Sequence, residues 1–93
     1  MNAARMATIR ERLEALEPEQ LDIEDDSHLH AGHAGAAGGA GHFRVRIVAS
    51  RFNGLSRVSR HRLVYDRLTD LMPDEVHALA LQTLTPQENS DKT

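Results

Sequence analysis

The sequence predicts a single small α+β domain, an α-β-β-α-β sandwich with one three-stranded mixed sheet and its helices on one side. Three observations predict it. Apolar residues recur at helical spacing near the N-terminus and again after residue 57. Between them, apolar and polar residues alternate, most plainly in "HFRVRIVAS" at 42–50. The last extended stretch, "VHALALQTL" at 76–84, follows a helix, so it must cross over and run parallel to a neighbouring strand.

Each element has its own signal. Met6, Ile9, Leu13 and Leu16 mark one face of a first helix over about 4–16, stopped near Pro18. "LDIED" at 21–25 reads as a short strand with Leu21 and Ile23 inward. The Gly/Ala/His-rich run that follows has no periodicity and reads as a long flexible loop over about 28–41. In the second strand, 42–50, Phe43, Val45, Ile47 and Ala49 share one face. His42, Arg44, Arg46 and Val48 share the other, which predicts a basic sheet face that is open or covered by a partner. Gly54 gives the next turn its backbone freedom, and Ser56 is placed to cap the helix after it. That helix spans 57–72 with Val64, Leu68 and Leu71 on one stripe, which His61 extends, and Pro73 ends it. A third strand occupies 76–84. "TPQEN" opens a short last helical turn with Pro86 just inside it. One domain covers 1–93, with an ordered core over about 4–88 and a tail at 89–93.

Composition excludes several functions. With 93 residues the chain has room for one small core and little surplus surface for a deep private active site. Aromatic content of 3% leaves too few rings for a single-strand stacking platform. The absence of cysteine removes disulfides, thiolate metal sites and a cysteine nucleophile. No stretch approaches the ~20 apolar residues needed to span a bilayer, and no secretory leader pattern is visible, so a cytoplasmic protein without membrane attachment is expected. Ser56, Ser59, His61 and Asp66 lie close in sequence but form no nucleophile elbow. Gly38, Gly39 and Gly41 lead into a strand, not into the helix N-terminus that a phosphate cradle requires. The expectation is a protein that is not an enzyme.

Two features stand out. Four of the six histidines, His28, His30, His33 and His42, fall within residues 28–42. They lack the thiolates of a structural zinc site and the rigid helix of a catalytic one. By pattern alone they read as a solvated loop that takes metal adventitiously. The second feature is charge. Net charge is −3, yet residues 42–65 hold six arginines (Arg44, Arg46, Arg51, Arg57, Arg60, Arg62) and no acid. Such a run fits phosphate contact, with Arg57, Arg60 and Arg62 beside the turn and helix start, or equally an acidic protein or small-molecule partner.

"RFNGLSRVSRHRLVYDRL" is more specific. Phe52, Gly54, Ser56, Arg60-His61-Arg62 and Val64-Tyr65 resemble the signature of the BolA family. "DDSHLHAGHAG" resembles its acidic–Ser–x–x–His–Ala–Gly–His stretch, and "HFRVRIVASRF" and "VHALALQTLTPQE" resemble its second and third strands. The resemblance runs from the first helix to about residue 88. It implies a class II KH-like sandwich without the Gly-x-x-Gly clamp for RNA, and indeed only Gly54 stands at that position. It implies partnership with a monothiol glutaredoxin and a shared bridging [2Fe–2S] cluster in iron–sulfur and iron homeostasis. The glutaredoxin cysteine and glutathione would hold one side of that cluster. On this chain's side the ligands would be His77, from the third-strand "VHAL", and His33, from the loop "GHA"; His28, His30 and His42 are alternative loop ligands. By pattern alone His77 reads as a half-exposed strand residue. As the alternative, the resemblance implies DNA-binding regulation of cell morphology, envelope and stress-response genes. The chain would be a monomer alone or a heterodimer with the glutaredoxin. Asn89 replaces a frequent family tryptophan, and the segment before His42 is unusually rich in Gly and Ala.

Overall fold

The structure is a computed structural model that describes residues 3–26, 41–72 and 76–91, with residues 41 and 76–78 described by backbone only. The loop expected at 28–41 therefore lies almost wholly outside the described residues, as does Pro73. Helix α1 spans Ala3–Glu14, β1 Gln20–Asp25 and β2 Gly41–Val48. A 3-10 turn follows at Ser50–Phe52, then helix α2 at Arg57–Leu68, continued by a 3-10 turn at Thr69–Leu71. Strand β3 spans Val76–Leu84 and helix α3 Pro86–Asp91. The sheet order is β1-β2-β3, with β1 antiparallel and β3 parallel to β2, which is the mixed sheet the crossover required.

The core lies between the two long helices and one sheet face. Ile9, Leu13 and Leu16 meet Ile23 of β1, Phe43, Val45 and Ile47 of β2, and Val64, Leu68 and Leu71 from the α2 region, all buried. Helix α1 ends earlier than its apolar pattern. The amides of Leu16 and Glu17 donate to Leu13 and Glu14 carbonyls at 3.0 and 2.9 Å, so the last turn tightens and still delivers Leu16 to the core. Glu17 then takes φ 55, and its carboxylate is held by Arg51 at 3.1 Å. Phe52 on the 3-10 turn is the largest fully buried side chain and anchors the passage from sheet to α2. Arg12 pairs with Asp70, tying α1 to the end of α2 and holding the Asp70 carboxyl below its ordinary range.

The second sheet face is less open than its alternation suggests. Val48 and Leu84, partners in the β2–β3 register, are both buried, and so is His42. Arg46 reaches Asn89, so α3 folds back over this end of the face. The position where a family tryptophan is frequent thus carries a polar contact to β2.

Helix side chains cover part of both sheet edges. The Asp26 amide donates to the His42 carbonyl, so alternation turns the odd-numbered carbonyls of β1 outward. Arg10 of α1 donates to one of them, on Leu21, at 3.1 Å. The Ala49 amide donates to Leu84, which likewise turns Leu79 and Thr83 of β3 outward. Tyr65 donates its hydroxyl to the Leu79 carbonyl at 3.3 Å, and Arg60 donates to that of Thr83 at 3.2 Å. Exposed edges invite strand addition, and such contacts obstruct it.

The turn before α2 depends on one glycine. Asn53 has φ −57 and ψ 129, Gly54 has φ 78, and the Leu55 amide closes onto the Phe52 carbonyl at 3.0 Å. This is a type II turn, whose third residue needs positive φ. A Cβ on Gly54 would meet nothing within 4 Å, so only the backbone resists a side chain there. Gly54→Ala is expected to cost roughly 1–2 kcal/mol and Gly54→Asn less. The urea midpoint should fall in that order with an unchanged slope.

Candidate functional site

The histidine end of the sheet is assembled by topology. His77 is the second residue of β3. The β2–β3 register pairs Gly41 with Val76 but His42 with Ala78, so His77 is the extra residue of an irregularity in the ladder. On the other side of β2, Asp25 pairs with Phe43, and the Asp26 amide reaches the His42 carbonyl at 2.8 Å. Segment 27–40 therefore leaves β1 and returns to β2 at the sheet end that also holds His77. His28, His30 and His33 belong to that segment and lie outside the described residues. His42, an alternative ligand by sequence, is buried on β2 and engaged in the fold. His61 is half-buried on α2, one turn before Val64. Among the described residues, no three His, Asp or Glu side chains group closely enough to hold a metal ion.

The arginine run is acid-free only along the chain. Arg44 meets Asp26 at 2.9 Å and Glu24 at 3.6 Å, and this pairing raises its already high pKa. Arg46 donates to Gln20 at 2.7 Å, lies 4.0 Å from Asp22 and also reaches Asn89. Arg51 meets Glu17 at 3.1 Å. These acids come from β1, from Asp26 just after it and from the turn before it, because antiparallel pairing sets Asp22 opposite Arg46 and Glu24 opposite Arg44. The expected basic sheet face is thus a mixed-charge ladder.

Arg60 differs from its neighbours, since its side chain is only 13% exposed. Its guanidinium donates to the Leu55 carbonyl at 2.9 Å, to the Thr83 carbonyl at 3.2 Å, and to both Glu88 carboxylate oxygens at 2.7 and 3.1 Å. Expected from sequence to contact phosphate, Arg60 instead spends its donors inside the fold. The side chains of Arg57 and Arg62 are exposed and form no ion pair or hydrogen bond among the described residues.

Glu88 joins Arg60 to a capping box. The Thr85 amide donates to Glu88 Oε1 at 3.0 Å, and the Glu88 amide donates to Thr85 Oγ1 at 3.1 Å. "TPQE" carries this signal in the sequence, a Thr three residues before a Glu, beyond the helix start that Pro86 marks. Ser56 plays the simpler role at α2, accepting from the Ser59 amide at 3.1 Å. The hydrogen bonds from Arg60, and then that from the Thr85 amide, lower the Glu88 pKa from 4.5 to about 2. A carboxyl more acidic in the folded state stabilises above its unfolded pKa and loses that effect as pH falls through the folded one. Stability should therefore decline between about pH 4.5 and 2, with a shallower decline in Glu88→Gln, read from urea midpoints across that window. Arg60→Ala should lower the midpoint, whereas Arg57→Ala and Arg62→Ala should stay within about 0.5 kcal/mol of the parent.

Comparisons with known proteins agree with this architecture. The family model described as BolA-like protein matches residues 13–88. The chain is 48% identical over 83 residues to mouse BolA-like protein 1, a match covering 88% of this chain and 58% of that protein. It is 40% identical over 85 residues to the DNA-binding transcriptional regulator BolA of Escherichia coli, covering 86% and 78%. The chain thus spans under two thirds of the mouse relative's length but more of the bacterial one's. Among solved structures, the BolA domain of SufE1 from Arabidopsis thaliana superposes with TM-score 0.81 at 45% identity, covering 92% of this chain and 96% of that one. With the sandwich, the capped α2 signature and these matches in agreement, the chain belongs to the BolA family.

Proposed function

We propose that this protein partners a monothiol glutaredoxin and gives two histidine ligands, His33 and His77, to a [2Fe–2S] cluster bridging the two proteins. The observation that carries this reading is the position of His77. It stands at the ladder irregularity, at the sheet end where the His33 segment leaves β1 and enters β2. A strand gives one ligand a fixed backbone. The other ligand, His33, stands in a Gly/Ala-rich stretch of the sequence between β1 and β2. The donor chemistry fits a shared site, because a chain without cysteine supplies imidazole only and leaves the thiolates to the glutaredoxin and glutathione. Neutral imidazoles in place of thiolates make such a cluster less negative and raise its potential. The role is non-enzymatic, and we assign it to the cytoplasm.

A second reading, DNA-binding regulation, draws on the name of the Escherichia coli relative and on the uncommitted Arg57 and Arg62. With Arg60 engaged internally, two of the three candidate phosphate contacts remain, Arg57 and Arg62. The slope of log affinity against log salt should then be near −2, on the order of −0.9 per phosphate.

The cluster reading is tested by mixing the protein with a monothiol glutaredoxin, iron, sulfide and glutathione and recording visible circular dichroism. His77→Ala should abolish the mixed-complex spectrum, and His33→Ala should weaken or alter it. A His77→Ala spectrum identical to the parent's removes the assignment.

A further inference from the structure

Helix α2 carries the two exposed large apolar side chains of the described residues, Val58 at 66% and Tyr65 at 36% exposure. They are seven residues apart with Arg62 between them, so all three lie on one helical stripe. Arg57 adjoins the stripe at the start of the helix. We infer that this stripe docks an acidic segment of a partner protein, one that sets an apolar side chain between carboxylates. The inference does not depend on the cluster reading.

Charge complementarity identifies the occupant. Four of the six arginines in the run find carboxylates within the chain, namely Arg44, Arg46, Arg51 and Arg60. The two left over, Arg57 and Arg62, are the two that flank Val58. The chain has 14 acids against 11 basic residues, so acids are not scarce, yet among the described residues none is set against this pair. Asp66 lies one turn beyond Arg62 and forms no ion pair with it. Tyr65 is ordered in advance, because its hydroxyl is tied to the Leu79 carbonyl, and an ordered aromatic loses little entropy on binding. Arginine and tyrosine around an apolar centre also form the usual composition of an interface hot spot.

Nucleic acid fits less well. Val58, the more exposed of the two apolar residues, would face phosphates that offer it nothing, and Asp66 at the border would repel them. A net charge of −3 opposes long-range attraction to a polyanion, whereas a short acidic segment needs only local cations.

The experiment is selection of short random peptides displayed on phage against the intact protein, followed by fluorescence anisotropy of the selected peptides. Enrichment of Asp or Glu flanking Leu, Ile or Phe is expected. Val58→Ser and Arg62→Glu should each weaken the selected peptides by roughly tenfold or more. Both positions are exposed, and circular dichroism of the variants checks that the fold is retained. Failure to enrich any family, enrichment without acids, or equal binding to both variants would overturn the inference. So would short random-sequence duplex DNA that binds more tightly than every selected peptide and responds to Arg62→Glu but not to Val58→Ser.

Discussion

The whole C-terminal half of this fold hangs on where one guanidinium goes. Arg60 leaves the first turn of α2 and donates to the turn before the helix, to the last part of β3 and to α3. A mostly buried cation is tolerable only when its donors are matched. Here two carbonyls and a carboxylate match them, and each match fixes another element. Leu55 locks the type II turn to the helix it precedes. Thr83 holds the outer edge of β3 against α2. Glu88 pulls α3 back onto the sheet while its own carboxylate caps that helix through Thr85. A helix of six residues is too short to persist unaided, so α3 exists because these contacts hold it.

That role explains how much could be read from sequence. Periodicity set the strands and helices because burial imposes it. Ile9, Leu13, Ile23, Val45, Val64 and Leu68 all fall where their spacing put them. What periodicity missed came from competing local rules. Helix α2 was expected to run on to Met72, and it tightens to 3-10 after Leu68 while still burying Leu71. Alternation places Val48 on a polar face, yet it is buried at the end of the sheet where α3 reaches back to Arg46, a long-range event that alternation cannot encode. Arg60 looked like its neighbours because an arginine spacing does not say where the guanidinium ends. The acid that answers it lies 28 residues away.

The histidine end was legible in a different way. Composition shows a cluster at 28–42, and family resemblance selects one member of it, His33, and adds His77 from β3. Neither could say that the β2–β3 ladder slips by one residue at His77. A slip at a strand start turns one residue out of the regular alternation, and sheets keep such irregularities where a side chain must be re-aimed. It also falls at the sheet end where the His33 segment enters and leaves. The last residues of β1 and the first residues of β2 and β3 share that sheet end, because β1 runs antiparallel and β3 parallel to the central β2.

Charge supplies the last step. A net charge of −3 describes the molecule poorly, because its acids and arginines are segregated along the chain and then recombined by folding. Antiparallel pairing brings β1 acids to β2 arginines, and the capping box brings Glu88 to Arg60. These pairings are side effects of building the sheet and the cap. They consume charge without regard to any ligand, so the charges they leave behind locate a surface better than the run that contained them. The remainder is concentrated on α2, beside Val58 and Tyr65, whose hydroxyl reaches the Leu79 carbonyl two residues after His77. The domain therefore combines a sheet end at which β3 carries His77 in its backbone register with a basic-apolar stripe on a helix. Under the two proposals, a partner would meet imidazole ligands at the first and arginines at the second.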